Sequence, residues 1–120
     1  MHKWMLAASF LLAAALARGA ELDVSHCRFP EPPSIPDGAT ASESEMGQAG
    51  ADVRDFVADI QSSLECLTDT EQSMGEEISE EQQAQLVAIY NNGVDQMNAV
   101  AAKYNEQVRA YKGEDEGEEE

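Results

Sequence analysis

Two apolar columns, each repeating every seven residues, run through the stretch from Gln85 to Lys112. One holds Val87, Val94, Ala101 and Val108; the other holds Tyr90, Met97, Tyr104 and Tyr111. In heptad terms these are a and d positions, so the stretch reads as a long helix with one apolar seam. A seam of that length must be buried, and the rest of the chain is restricted to arrangements that cover it. Asn91-Asn92-Gly93 is a strong turn tripeptide in isolation. Both columns keep phase across it, whereas an intervening loop would reset the register. The sequence therefore predicts one continuous helix over about 80–112. Ser79 is its N-cap, with Gln82 three residues on to complete a capping box. Lys103, Arg109 and Lys112 gather near its end, where cations suit the helix dipole.

A second helix precedes it. Met46, Ala49, Val53, Phe56, Val57, Ile60, Leu64 and Leu67 recur at spacings of three and four, which is one helical face. Thr40-x-x-Glu43 and Ser42-x-x-Glu45 are both capping boxes for its start. Gly47 and Gly50 weaken its first turns by about 1 kcal/mol each relative to Ala. The polar run Thr70-Glu71-Gln72-Ser73 and Gly75 predict a loop over roughly Asp69–Ile78. The expected fold is all-α: an antiparallel two-helix hairpin, about 42–69 and 80–112.

Residues 21–41 are of another kind. Four prolines fall between Pro30 and Pro36, which predicts an extended polyproline segment. Pro36-Asp37-Gly38 predicts a turn in which Gly38 takes a positive φ. At the other end, residues 113–120 read GEDEGEEE, with no apolar side chain and only like charge, and are expected to be a disordered acidic tail.

Residues 1–20 have the layout of a secretory signal peptide. His2 and Lys3 precede an apolar run from Met5 to Ala17, and Ala15-Leu16-Ala17 is the best small-residue cleavage motif. The run is shorter than the roughly 20 residues a membrane span needs. Cleavage is expected between Ala17 and Glu21. The whole chain carries a net charge of −17, and residues 1–20 hold two cations and no acid. The remainder therefore carries −19, two units more negative. Such a charge repels phosphate backbones and anionic lipid, which argues against nucleic-acid binding and against membrane binding after cleavage. It leaves cations, a basic protein or a basic peptide as candidate partners, and a second copy as the occupant of any helix face left uncovered.

In an exported chain, an even cysteine count reads as disulfide chemistry. Cys27 and Cys66 allow one intrachain pairing, with an intermolecular bond as the alternative. The intrachain loop of about 40 residues would contribute roughly 3–4 kcal/mol in the chain-entropy view. It also predicts a route. The helix from 42 to 66 is about 36 Å long, and the steps from Cys27 to Ser42 span about 46 Å in polyproline II. Phe29, Pro33 and Ile35 could then lie in the groove between the helices as a strap.

No catalytic, cofactor-binding or metal site is predicted. His26 is the one histidine after residue 20 and stands beside Cys27. Acid–base or nucleophilic catalysis needs a positioned constellation, and a His-Cys metal pair needs further ligands at defined spacing. Glu76, Glu77, Glu80 and Glu81 cluster at the hairpin loop but do not match an EF-hand pattern. Weak Ca²⁺ binding there or by the tail is the cation-binding alternative.

The string Pro33-Ser34-Ile35-Pro36-Asp37-Gly38-Ala39-Thr40-Ala41-Ser42, with Cys27 before it, Glu45-Met46 after it and Cys66-Leu67 later, resembles a group of small, uncharacterised exported proteins of Gram-negative bacteria. The shared pattern is a cysteine, a proline-rich segment, IPDGATAS and a helix ending in Cys-Leu. The likeness extends to the Tyr-Asn and Val-Arg-Ala-Tyr-Lys residues late in the second helix. It implies export and this fold, and it adds no site residues. The expected role is that of a non-enzymatic exported protein of the cell envelope, structural or protein-interacting. The alternative is an acidic binding module or chaperone-like clamp for basic proteins or peptides.

Overall fold

The computed structural model describes residues 22–113. The predicted signal peptide and cleavage site, and residues 114–120 of the acidic tail, lie outside the described residues. Two long helices make an antiparallel hairpin: α1, Glu43–Met74, and α2, Glu80–Lys112. No strand occurs among the described residues.

Both helix starts follow their local chemistry. Ser42 caps α1: its Oγ accepts from the Glu45 N–H at 3.1 Å, and the Glu45 carboxylate accepts from the Ser42 N–H at 3.4 Å. Ser79 and Gln82 repeat the arrangement at α2, both at 3.0 Å. Each cap satisfies amide donors that the first turn leaves without an intrahelical partner.

Helix α1 ends five residues later than expected. The polar run that reads as loop is helical because its hydroxyls turn back onto the helix. Thr70 Oγ1 donates to the Cys66 carbonyl and Ser73 Oγ to the Asp69 carbonyl, each at 2.8 Å, so neither competes for the forward backbone groups. The stop is Gly75, whose φ of 53° a side chain would resist. The connection is correspondingly short: a 3₁₀ turn over Gly75–Glu77, then Ile78 and Ser79. Helix α2 is continuous through Asn91-Asn92-Gly93 and closes on Gly113, which is left-handed at φ 75°.

The predicted face of α1 is the buried one. Met46, Ala49, Val53, Phe56, Ile60, Leu64 and Leu67 are all buried, and Val57 is half-buried. Burying the Met, Val, Phe, Ile and Leu side chains among these contributes roughly 1.5–3 kcal/mol each. The seam of α2 needs correction. Its buried residues are Gln82, Leu86, Gly93 and Val100, with Ile89, Val94, Met97 and Tyr104 packed alongside. That line shares Val94, Met97 and Tyr104 with the predicted columns but is turned part-way from them, so Val87, Tyr90 and Tyr111 remain 51%, 41% and 42% exposed. The reason is the strap. A Cβ on Gly93 would lie 2.9 Å from the Phe29 ring and 3.0 Å from a Leu64 methyl. The helix turns its smallest residue, not its largest, towards the point where three elements meet.

Residues 22–41 run along the hairpin without helix or strand. Phe29 and Ile35 pack on the core, as expected of a strap, and Pro33 is half-buried. Phe29 meets α2 at Gly93, and Gly38 meets it at Gln107, so the strap runs parallel to α2. Gly38 does not take the predicted positive φ. The turn begins two residues later, at Asp37: its carbonyl accepts from the Thr40 and Ala41 amides at 3.1 and 2.9 Å, and its side chain accepts from Ala39 at 3.0 Å. Glycine is needed at position 38 for closeness. A Cβ there would fall 1.8 Å from the Gln107 carbonyl oxygen.

Candidate functional site

The most elaborate local chemistry in the described chain is where the strap is fastened. Cys27 and Cys66 form the intrachain disulfide, with Cα atoms 5.5 Å apart across 39 positions. The bond sits beside a shallow, open depression whose walls include His26, Arg28, Phe29, Asp59 and Ser62.

The polar groups around it hold the strap to α1. Ser63 is buried, and its hydroxyl is shared between the carbonyl oxygens of Arg28 on the strap and Asp59 on its own helix. Thr70 Oγ1 donates to the Cys66 carbonyl and also hydrogen-bonds His26 Nε2 at 2.9 Å. Upstream, Asp23 Oδ1 accepts from both the hydroxyl and the amide of Ser25, at 2.7 and 3.0 Å. The Ser25 hydroxyl, then the Ser25 amide, hold the Asp23 carboxyl below its ordinary range; nearby His26 adds a smaller effect. Further along, Gly38 N–H donates to Gln107 Oε1 at 2.9 Å. The strap is thus tied to α1 at its start and to α2 at its end. Every buried side-chain nitrogen or oxygen among the described residues has a hydrogen-bond partner.

His26, Cys27 and Cys66 bring their potential ligand atoms within 4.8 Å of one another. Sequence spacing alone does not show this trio, because Cys66 arrives from the far end of α1. Metal ligation by cysteine requires thiolate, and both sulfurs are held in the disulfide. The arrangement as folded is a clasp. The four loop glutamates, Glu76, Glu77, Glu80 and Glu81, are exposed and do not converge into such a group.

Fold and clasp together define a class of architecture: a helical hairpin with an extended N-terminal strap, stapled by one disulfide. Comparison with family models, with curated proteins and with solved structures finds no match in any of the three.

Proposed function

We propose that the chain is an exported, non-enzymatic helical protein of the cell envelope, with a structural or protein-interaction task. The observation that carries the reading is the clasp. A disulfide that fastens an otherwise irregular segment suits an oxidising compartment, and it follows an N-terminus with the layout of an export signal. The residue types most used for nucleophilic and acid–base chemistry are engaged in holding the strap: both cysteines are bonded, and His26 is tied to Thr70. The test is cell fractionation with mass determination of the mature N-terminus, followed by crosslinking and affinity capture from the periplasm at low and high salt. Recovery in the cytoplasm with residues 1–20 still attached would sink the export reading.

A second reading is a binding module for a basic protein or peptide. Its support is a row of carboxylates along one flank of α1: Glu45, Asp52, Asp55 and Asp59. It predicts salt-sensitive capture of a basic peptide, lost in the triple variant Asp52→Asn, Asp55→Asn, Asp59→Asn.

A further inference from the structure

The strap covers one side of the hairpin and leaves the other bare. On α1 it lies along Asp59, Ser63, Cys66 and Thr70, and on α2 it reaches Gln107. At 100° per residue, the opposite flank of α2 presents Val87, Tyr90, Val94, Ala101 and Val108, and the same side of α1 adds Val57. Val87 and Tyr90 are exposed, and the other four are half-buried. This is largely the seven-residue repeat that marks the sequence as a helix seam, and of this stripe the intramolecular core takes only the inner sides of Val57 and Val94. Among the described residues, nothing covers the outward side of this stripe, where Val87 and Tyr90 are exposed.

We propose that a second copy of this chain covers it, with the two α2 helices antiparallel about a two-fold axis near Met97 and Asn98. Charge selects this occupant. Residues 22–113 hold 17 acids against five cations, so two copies repel over most of their surface. The bare face is the exception. By helical position it carries Glu43, Arg54, Glu65 and Glu71 on α1 and Glu80, Arg109 and Lys112 on α2, four acids against three cations. Three of the five cations therefore flank the one apolar stripe. Along α2 the signs are also ordered, with Glu80 at the start and Arg109 and Lys112 at the end. Antiparallel pairing sets Val87 opposite Val108 of the second copy, and Val94 opposite Ala101. It brings Lys112 opposite Gln83 of the second copy, one turn from its Glu80. A parallel pairing would set like charges together at both ends.

The area is sufficient. From Val87 to Val108 the stripe is about 32 Å long, and two helices with axes about 10 Å apart present a face roughly 20 Å wide. That is on the order of 600 Å² per copy, or about 1,200 Å² in total, the lower end of stable interfaces. The dimer is accordingly concentration-dependent. The pairing is a property of the folded chain, so its failure leaves the reading of export untouched.

The experiment is sedimentation velocity of the mature chain over a wide concentration range at physiological ionic strength. The wild type should shift from monomer to dimer as concentration rises. Tyr90→Glu, which places a carboxylate on the bare face, should remain monomeric with unchanged melting at high dilution. Register is read separately with Val87→Cys and Val108→Cys variants and a short bis-maleimide, which leaves the native disulfide intact. A covalent dimer should form when the two variants are mixed and in neither alone. A wild type that is monomeric throughout overturns the proposal and leaves the face to a different protein. A Tyr90→Glu variant that still dimerises overturns the surface, and crosslinking of Val87→Cys alone overturns the antiparallel register.

Discussion

The sharpest test of the strap is a residue on α2. Glycine in a helix interior costs about 1 kcal/mol relative to alanine, so Gly93→Ala on an unobstructed helix should stabilise by that amount. Here the added methyl would meet the Phe29 ring at 2.9 Å and a Leu64 methyl at 3.0 Å. Leu64 ends in a flexible branch and can yield. Phe29 is two residues from a disulfide and cannot retreat without lifting the strap. Overpacking of this kind costs roughly 1–3 kcal/mol, so the net effect of Gly93→Ala is a loss of up to about 2 kcal/mol. Removing the obstacle should reverse the sign. With Phe29→Ala as background, the same Gly93→Ala change should gain up to about 1 kcal/mol. The coupling between the two positions is then about 1–3 kcal/mol, well above the scatter of additive pairs. The assay is urea unfolding followed by far-ultraviolet circular dichroism, with the disulfide intact. Strict additivity, with Gly93→Ala stabilising in both backgrounds, would refute the placement of Phe29 against α2.

Reducing the Cys27–Cys66 bond should remove about 3–4 kcal/mol in the chain-entropy view and lower Tm by at least several degrees by calorimetry; an unchanged Tm would remove the clasp's structural role. Gly47→Ala and Gly38→Ala should act in opposite directions. Gly47 has open space around it and should gain about 1 kcal/mol, while Gly38 would drive a methyl into the α2 backbone and lose the amide bond to Gln107, a net loss of at least about 1 kcal/mol in denaturant melts. Asp23 should titrate below its ordinary value of 3.8 by NMR, and Ser25→Ala should return it towards that value. Because the folded value is the lower one, the contribution of this turn is full above 3.8 and is lost as pH falls through the depressed value.

What could be read from the residues was whatever short-range chemistry decides. The capping boxes at Ser42 and Ser79, the apolar face of α1 and the one intrachain cysteine pairing are each complete within a few residues or a single count. Errors arise where a distant segment sets the requirement. The polar run Thr70–Ser73 signals a loop only if its side chains compete for the backbone, and two of them bond backwards instead. Gly38 reads as a turn residue with positive φ, since backbone freedom is the commonest use of glycine, and the heptad that carries the helix through Gly93 gives that glycine no task. In the fold, both serve as gaps through which the strap approaches α2.

The same cause shifts the seam of α2. A heptad reading ranks positions by the size of their apolar side chains, and that ranking picks out Val87, Tyr90 and Val94. The core line instead runs through Gln82, Gly93 and Gln107's neighbourhood, where the jobs are specific: closing the α2 cap, admitting Phe29 and accepting the Gly38 amide. A helix with one task shows one stripe. This helix shows two, offset around its axis: one shaped by the strap it must admit, the other a regular repeat that touches the core at Val94 and otherwise faces outwards. A repeat that regular, beside three of the five cations in residues 22–113 of an acidic chain, is more than the hairpin needs for its own stability. That excess makes the oligomeric state the measurement on which the account of α2 turns.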